Sequence, residues 1–118
     1  MGLMNVTKNI QVVSEVERGN TFAQRLIGLM GKKDMKADRA LWLMPGLLPS
    51  NSIHTFFMRF AIDAVFVGPE LEVVAVYENL KPWKVTSPAW GANSVFEMKA
   101  GTLKNSRIEV GDRLNVVN

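Results

Sequence analysis

A chain of 118 residues with 47% hydrophobic residues, 21% charged residues and a net charge of +3 has the makeup of one folded domain rather than a disordered segment. It has no cysteine, which excludes disulfides, a thiolate nucleophile and cysteine-ligated zinc. No run reaches the ~20 apolar residues of a membrane-spanning helix, and basic residues are interspersed with acidic ones around Lys32 to Arg39, so nucleic acid is not the expected partner.

Met1 to Lys8 has no apolar core of signal-peptide length. The expected compartment is the cytoplasm if this is the native N-terminus, and a periplasmic or other extracytoplasmic one if a signal segment has been removed. Ile10 to Val16 alternates roughly between apolar and polar residues and predicts a first strand. A helix follows over about 20–31: Asn20, or Thr21 with Gln24, caps its start, and Phe22, Leu26, Leu29 and Met30 form one apolar stripe. Gly31 stops it, and Lys32-Lys33 suit the negative end of its dipole.

Ala40 to Met44 predicts a strand ended by Pro45-Gly46, and Pro49 to Ser52 a second turn. The aromatic and apolar stretch Ile53 to Val67 divides into strands Ile53–Met58 and Ile62–Val67, with a bend at Arg59 to Ala61. Gly68-Pro69-Glu70 then makes a hairpin to Leu71–Tyr77. Asn79 to Gly91, with two prolines, two tryptophans and no period, is a loop. Ser94–Met98 predicts a strand, Thr102–Ser106 a short helical turn, and Arg113–Val117 a last strand entered through Gly111-Asp112. Without repeats, low-complexity tracts or a linker, residues 1–118 form a single domain, of α+β class and mainly β.

Four segments carry a resemblance: Arg25-Leu26-Ile27-Gly28-Leu29-Met30; Ile53 to Met58 running into Ile62 to Phe66; Val95 to Gly101; and Gly111-Asp112-Arg113-Leu114. In this order they resemble domain-of-unknown-function family number 192 over about residues 10–117. The resemblance implies a small β-barrel-like domain with one helix, and no activity or catalytic residue to carry over. Some relatives resemble exported or membrane-tethered proteins and others lie near secretion or pilus genes, which points toward the cell envelope. The chain departs from relatives that have cysteine at its Ser50 and from the many with proline at its Ala61. The first removes any thiol chemistry, and the second loosens the bend before Asp63.

The candidate site residues divide into five overlapping groups. His54, the single histidine, is either a base poised near neutral pH or a packed strand residue sharing a face with Phe56 and Met58. Thr55 and Arg59 lie on the opposite parity, and Asp63 joins them if the bend keeps register. These three either converge on a small polar site or leave Arg59 and Asp63 as a surface pair. Arg25, beside the helix stripe, reaches toward Asp63 or Glu97 as a buried ion pair or a ligand contact. Glu97 and Asp63, each between apolar strand residues, could share acid and base duties if they stand together. Trp83 and Trp90, with Lys81 and Lys84, either form a stacking platform for a sugar, base or peptide or cover the end of a barrel. One histidine and scattered carboxylates lack metal-ligand spacing, and no cofactor is expected.

A candidate groove without a complete catalytic set points to a non-enzymatic module that binds a small ligand, a peptide or a protein near Trp83, Trp90 and the His54 to Asp63 stretch. The competing expectation is a small hydrolase using Asp63 or Glu97 with His54.

Overall fold

Residues 62–67, Ile-Asp-Ala-Val-Phe-Val, are all buried, including the aspartate, because this strand is paired on both edges and covered on both faces. The computed structural model describes residues 1–19, 36–43, 52–55 and 58–118. The predicted helix at about 20–31, the Pro45-Gly46 turn and residues 49–51 of the next turn lie outside the described residues.

Among the described residues the elements are β1 (Gly2–Asn5), β2 (Ile10–Val13), β3 (Glu15–Gly19), β4 (Arg39–Leu43), β5 (Ile62–Val67), β6 (Val73–Leu80), β7 (Ser94–Lys99), α1 (Thr102–Ser106) and β8 (Leu114–Val117). They build a three-stranded sheet in the order β2-β1-β8 and a five-stranded sheet in the order β3-β4-β7-β5-β6. The mainly β class predicted from the sequence is therefore the observed one. The described strands form two separate sheets rather than a closed barrel, so the barrel-like expectation is corrected to two sheets sharing a core.

That core lies between the sheets. Leu3, Val13 and Leu114 from the small sheet meet Val16, Ala40, Val65, Phe96 and Met98 from the large one, and Leu103 of α1 and Ile108 close one end. Trp42 stacks on Phe96 at 5.1 Å and 17°, with the Arg18 guanidinium 4.9 Å from its ring centroid. The opposite face of the large sheet carries a second cluster, Ile62, Ala64, Phe66 and Val95, covered by Ile53, Met58 and Ala89. Coverage on both faces explains why β5 and β7 read as near-continuous apolar runs.

Three sequence expectations are corrected. The predicted strand Ile10–Val16 is two strands broken at Ser14: β2 pairs antiparallel with β1, and β3 pairs parallel with β4. Asp38 fixes the break, its carboxylate accepting from the Ser14 N–H at 2.9 Å and from the Ser14 hydroxyl. Those bonds, the hydroxyl's first, hold the Asp38 carboxyl below its ordinary value. Secondly, β1 was not predicted from its four residues. It is nevertheless the middle strand of its sheet, and a Cβ on Gly2 would stand 3.1 Å from the Val13 carbonyl oxygen. Thirdly, the predicted strand Ile53–Met58 is, where described, an extended segment with one antiparallel bridge, His54 to Val85, and the Met58 N–H turns back to the Thr55 carbonyl.

Candidate functional site

The chain leaves β6 after Leu80, which pairs with Ile62, and enters β7 at Ser94, which pairs with Val67. Its connection therefore runs the length of β5, about 17 Å at the rise of an antiparallel strand. This connection is the predicted 79–91 loop, shortened at its start because β6 extends to Leu80.

Thr55 ties down the first end. Its N–H donates to the Lys84 carbonyl at 2.8 Å, its carbonyl accepts from the Trp83 N–H at 2.9 Å, its hydroxyl donates to the Lys81 carbonyl at 2.6 Å, and its Oγ1 accepts from the Lys84 N–H at 2.9 Å. A fully buried threonine thus satisfies both backbone and side-chain groups of a four-residue turn. Trp83 at the head of this turn has φ 64°, a left-handed conformation that costs a bulky side chain free energy and survives only where surrounding bonds impose it. Thr86 forms a second tie: its N–H donates to the Ile53 carbonyl at 2.9 Å and its Oγ1 accepts from the Ile53 N–H at 3.0 Å. At the far end the Ala92 N–H bonds the Ala89 carbonyl at 3.0 Å around a turn whose Gly91 has φ 94°, and the Asn93 N–H bonds Val67.

Only Thr86 and Ala89 of residues 83–91 are buried. The rest face outward: Trp83 is 59% exposed, Val85 61% and Trp90 81%, with Lys81 and Lys84 also exposed. Both loop tryptophans therefore stand in solvent, and the sheet face beneath is covered by smaller apolar side chains such as Ala89.

Among the described residues the polar candidates do not converge. Asp63 is fully buried, with Oδ1 accepting from the Asn79 N–H at 2.8 Å and Oδ2 from the N–H groups of Gly101 and Leu103 at 3.0 and 2.9 Å. Arg59 is exposed, and among the described residues no ion pair joins it to Asp63. Asp63 pairs with Met98, whereas Glu97 pairs with Ala64, so the two carboxylates point to opposite faces of the sheet. Glu97 is fully buried on the face of Ala64 and Val95, and Asp63 on the face of Val65 and Met98. His54 is half-buried, and its backbone bridges to Val85 beneath the loop. Arg25 lies outside the described residues. Among the described residues no group of three histidine or carboxylate side chains is arranged to hold a metal. A cavity of about 270 Å³ lies elsewhere, between β6 and α1, lined by Val76, Glu78, Leu103, Lys104 and Arg107 and by none of the predicted site residues.

One polar cluster escaped the sequence reading. Asp112, expected only to form a turn, is buried and accepts from Asn5 Nδ2 at 3.0 Å, Lys8 Nζ at 2.9 Å and the Glu109 N–H at 3.1 Å. Burial pushes its carboxyl up, and the bonds from Lys8, Asn5 and Glu109 outweigh that, leaving it below its ordinary value. The Gly111-Asp112 pair was visible, but nothing in the sequence pairs it with a lysine 104 positions away.

Two sheets sharing a core, a carboxylate-pinned short helix and an outward-facing tryptophan loop define a small, mainly β protein with no assembled catalytic set among the described residues. The chain belongs to the DUF192 family, described as uncharacterised ACR, whose model matches residues 4–116. The UPF0127 protein PF1050 of Pyrococcus furiosus is 35% identical over 113 residues, 95% of each chain. A Sinorhizobium meliloti protein proposed as a transcription regulator shares the fold, with a TM-score of 0.77 and 22% identity over 97% of this chain and 89% of that one. A protein of unknown function from Novosphingobium aromaticivorans does so with a TM-score of 0.76 and 18% identity, covering 98% and 82%.

Proposed function

We propose that this chain is a non-enzymatic binding module whose contact surface is the loop over residues 81–91. The observation that carries this reading is the combination of 59% and 81% exposure at Trp83 and Trp90 with a backbone bonded at both ends of the loop. An ordered loop presents its indoles without a large ordering cost on binding, and Trp83 retains a left-handed backbone that stability alone would not favour. His54 and Thr55 serve this surface from beneath, through the Val85 bridge and the clasp of the 81–84 turn.

The hydrolase reading has little support. Asp63 is occupied by three backbone N–H donors on the face away from the loop, and Glu97, on the loop side, is fully buried. The test is a titration of isotope-labelled protein with peptides, glycans and nucleotides, following the three indole N–H signals and His54. Saturable shifts at Trp83 and Trp90 with Trp42 unmoved are expected. Turnover of any substrate that stops on Asp63→Asn in a still-folded protein would overturn the reading.

A further inference from the structure

We infer that the partner of this loop is an anionic membrane surface, an inference that rests on the loop's being the contact surface. The loop turns inward only at Thr86 and Ala89 and leaves Trp83, Lys84, Val85, Ser87, Pro88 and Trp90 exposed as a nearly continuous stretch of chain. The loop that carries Trp83 and Trp90 spans β5, about 17 Å, from Leu80 beside Ile62 to Asn93 bonded to Val67. A surface of that span is longer than one sugar or base. A broad planar partner meets both ends at once.

The chemistry of the strip matches a lipid headgroup layer. Indoles prefer the boundary between headgroups and acyl chains, where the ring is apolar and its N–H stays hydrated. Val85, 61% exposed, adds apolar area between them. Lys81 and Lys84 flank Trp83, and exposed Arg59 follows the Thr55 to Met58 turn packed against the same end. Long basic side chains at this depth reach anionic headgroups while their stems lie along apolar surface. The cavity beside α1 opens on the other side of the large sheet and is lined by none of the loop residues.

The test is co-sedimentation with sucrose-loaded vesicles of phosphatidylcholine alone or with about one-third phosphatidylglycerol. Binding to the mixed vesicles is expected to exceed that to phosphatidylcholine by at least about tenfold and to fall as salt is raised. The pair Lys81→Glu and Lys84→Glu should weaken it by more than about tenfold, at roughly fivefold or more for each lysine. The pair Trp83→Asn and Trp90→Ser should weaken it comparably, asparagine being chosen because it accepts the left-handed backbone, with an unfolding midpoint no lower than the parent's certifying the fold. Equal binding by the tryptophan pair, or no binding to either vesicle, overturns the membrane assignment. If vesicles fail while a soluble peptide or glycan still shifts the Trp83 and Trp90 signals, the membrane partner is refuted and the binding reading stands. If those signals respond to none of the probes, both fall.

Discussion

Asp63 on β5 accepts a 2.9 Å hydrogen bond from the backbone N–H of Leu103 on α1, forty residues away, and with it the chain caps a helix from a neighbouring strand. Gly101, the residue before the helix, offers no side chain for capping and has φ 102°, so the acceptor for the first turn comes from the sheet. The same carboxylate also accepts from Gly101 and Asn79. Asp63→Asn keeps the size and replaces one acceptor oxygen by a donor facing N–H groups. It is expected to lower unfolding free energy by about 3 kcal/mol, measured by urea denaturation, because buried donors lose a charged acceptor.

Thr55→Val preserves shape and deletes the hydroxyl that joins Lys81 and Lys84. A loss of about 1 to 3 kcal/mol is expected, together with faster amide exchange at Lys84, whose N–H loses its acceptor. Slow exchange at Lys84 in the variant would contradict the clasp.

The legible parts of this fold were the segments whose environment is uniform. β5, β7 and the hairpin into β6 are buried on both faces or sharply bounded by turns, so their runs announce themselves, and Thr102–Ser106 reads as helix from local pattern. The break at Ser14 was not legible, because a serine is also what alternation allows at a solvent position, and only Asp38 on a distant turn makes it a bend. The site was half legible. Trp83 and Trp90 stood out as a loop pair, but whether they cover or protrude depends on Thr86 and Ala89 doing the covering. Asp63 and Glu97 resembled a pair because each sits among apolar residues. The register that sends them to opposite faces is set by pairing between β5 and β7, which neither segment encodes alone.

Trp83→Gly is expected to raise the unfolding free energy by about 1 kcal/mol, because glycine adopts φ 64° without a Cβ penalty. The gain, read from the urea midpoint, would accompany loss of the contact surface, the pattern of a strained residue kept for function. A loss of stability would show that the indole holds the loop together.

The acid limb of stability is expected to carry the mark of Asp112. Its folded value lies below the ordinary 3.8, so the unfolded chain takes up the proton first as pH falls. The contribution is complete above about pH 5 and is lost as pH drops through the folded value. Asp112→Asn should therefore flatten the stability profile below about pH 5 relative to the parent. Lys8 behaves oppositely: its hydrogen bond to Asp112, helped by Glu109, raises it above 10.5, so its contribution is present below that value and disappears as pH rises through the folded one. Thermal midpoints from pH 2 to 11 read both limbs.

Contact at the 81–91 loop is reported residue by residue by the indole N–H resonances. On adding vesicles or a soluble partner, the Trp83 and Trp90 signals should move together and saturate while buried Trp42 stays fixed. Saturable binding that leaves Trp83 and Trp90 in place would contradict it.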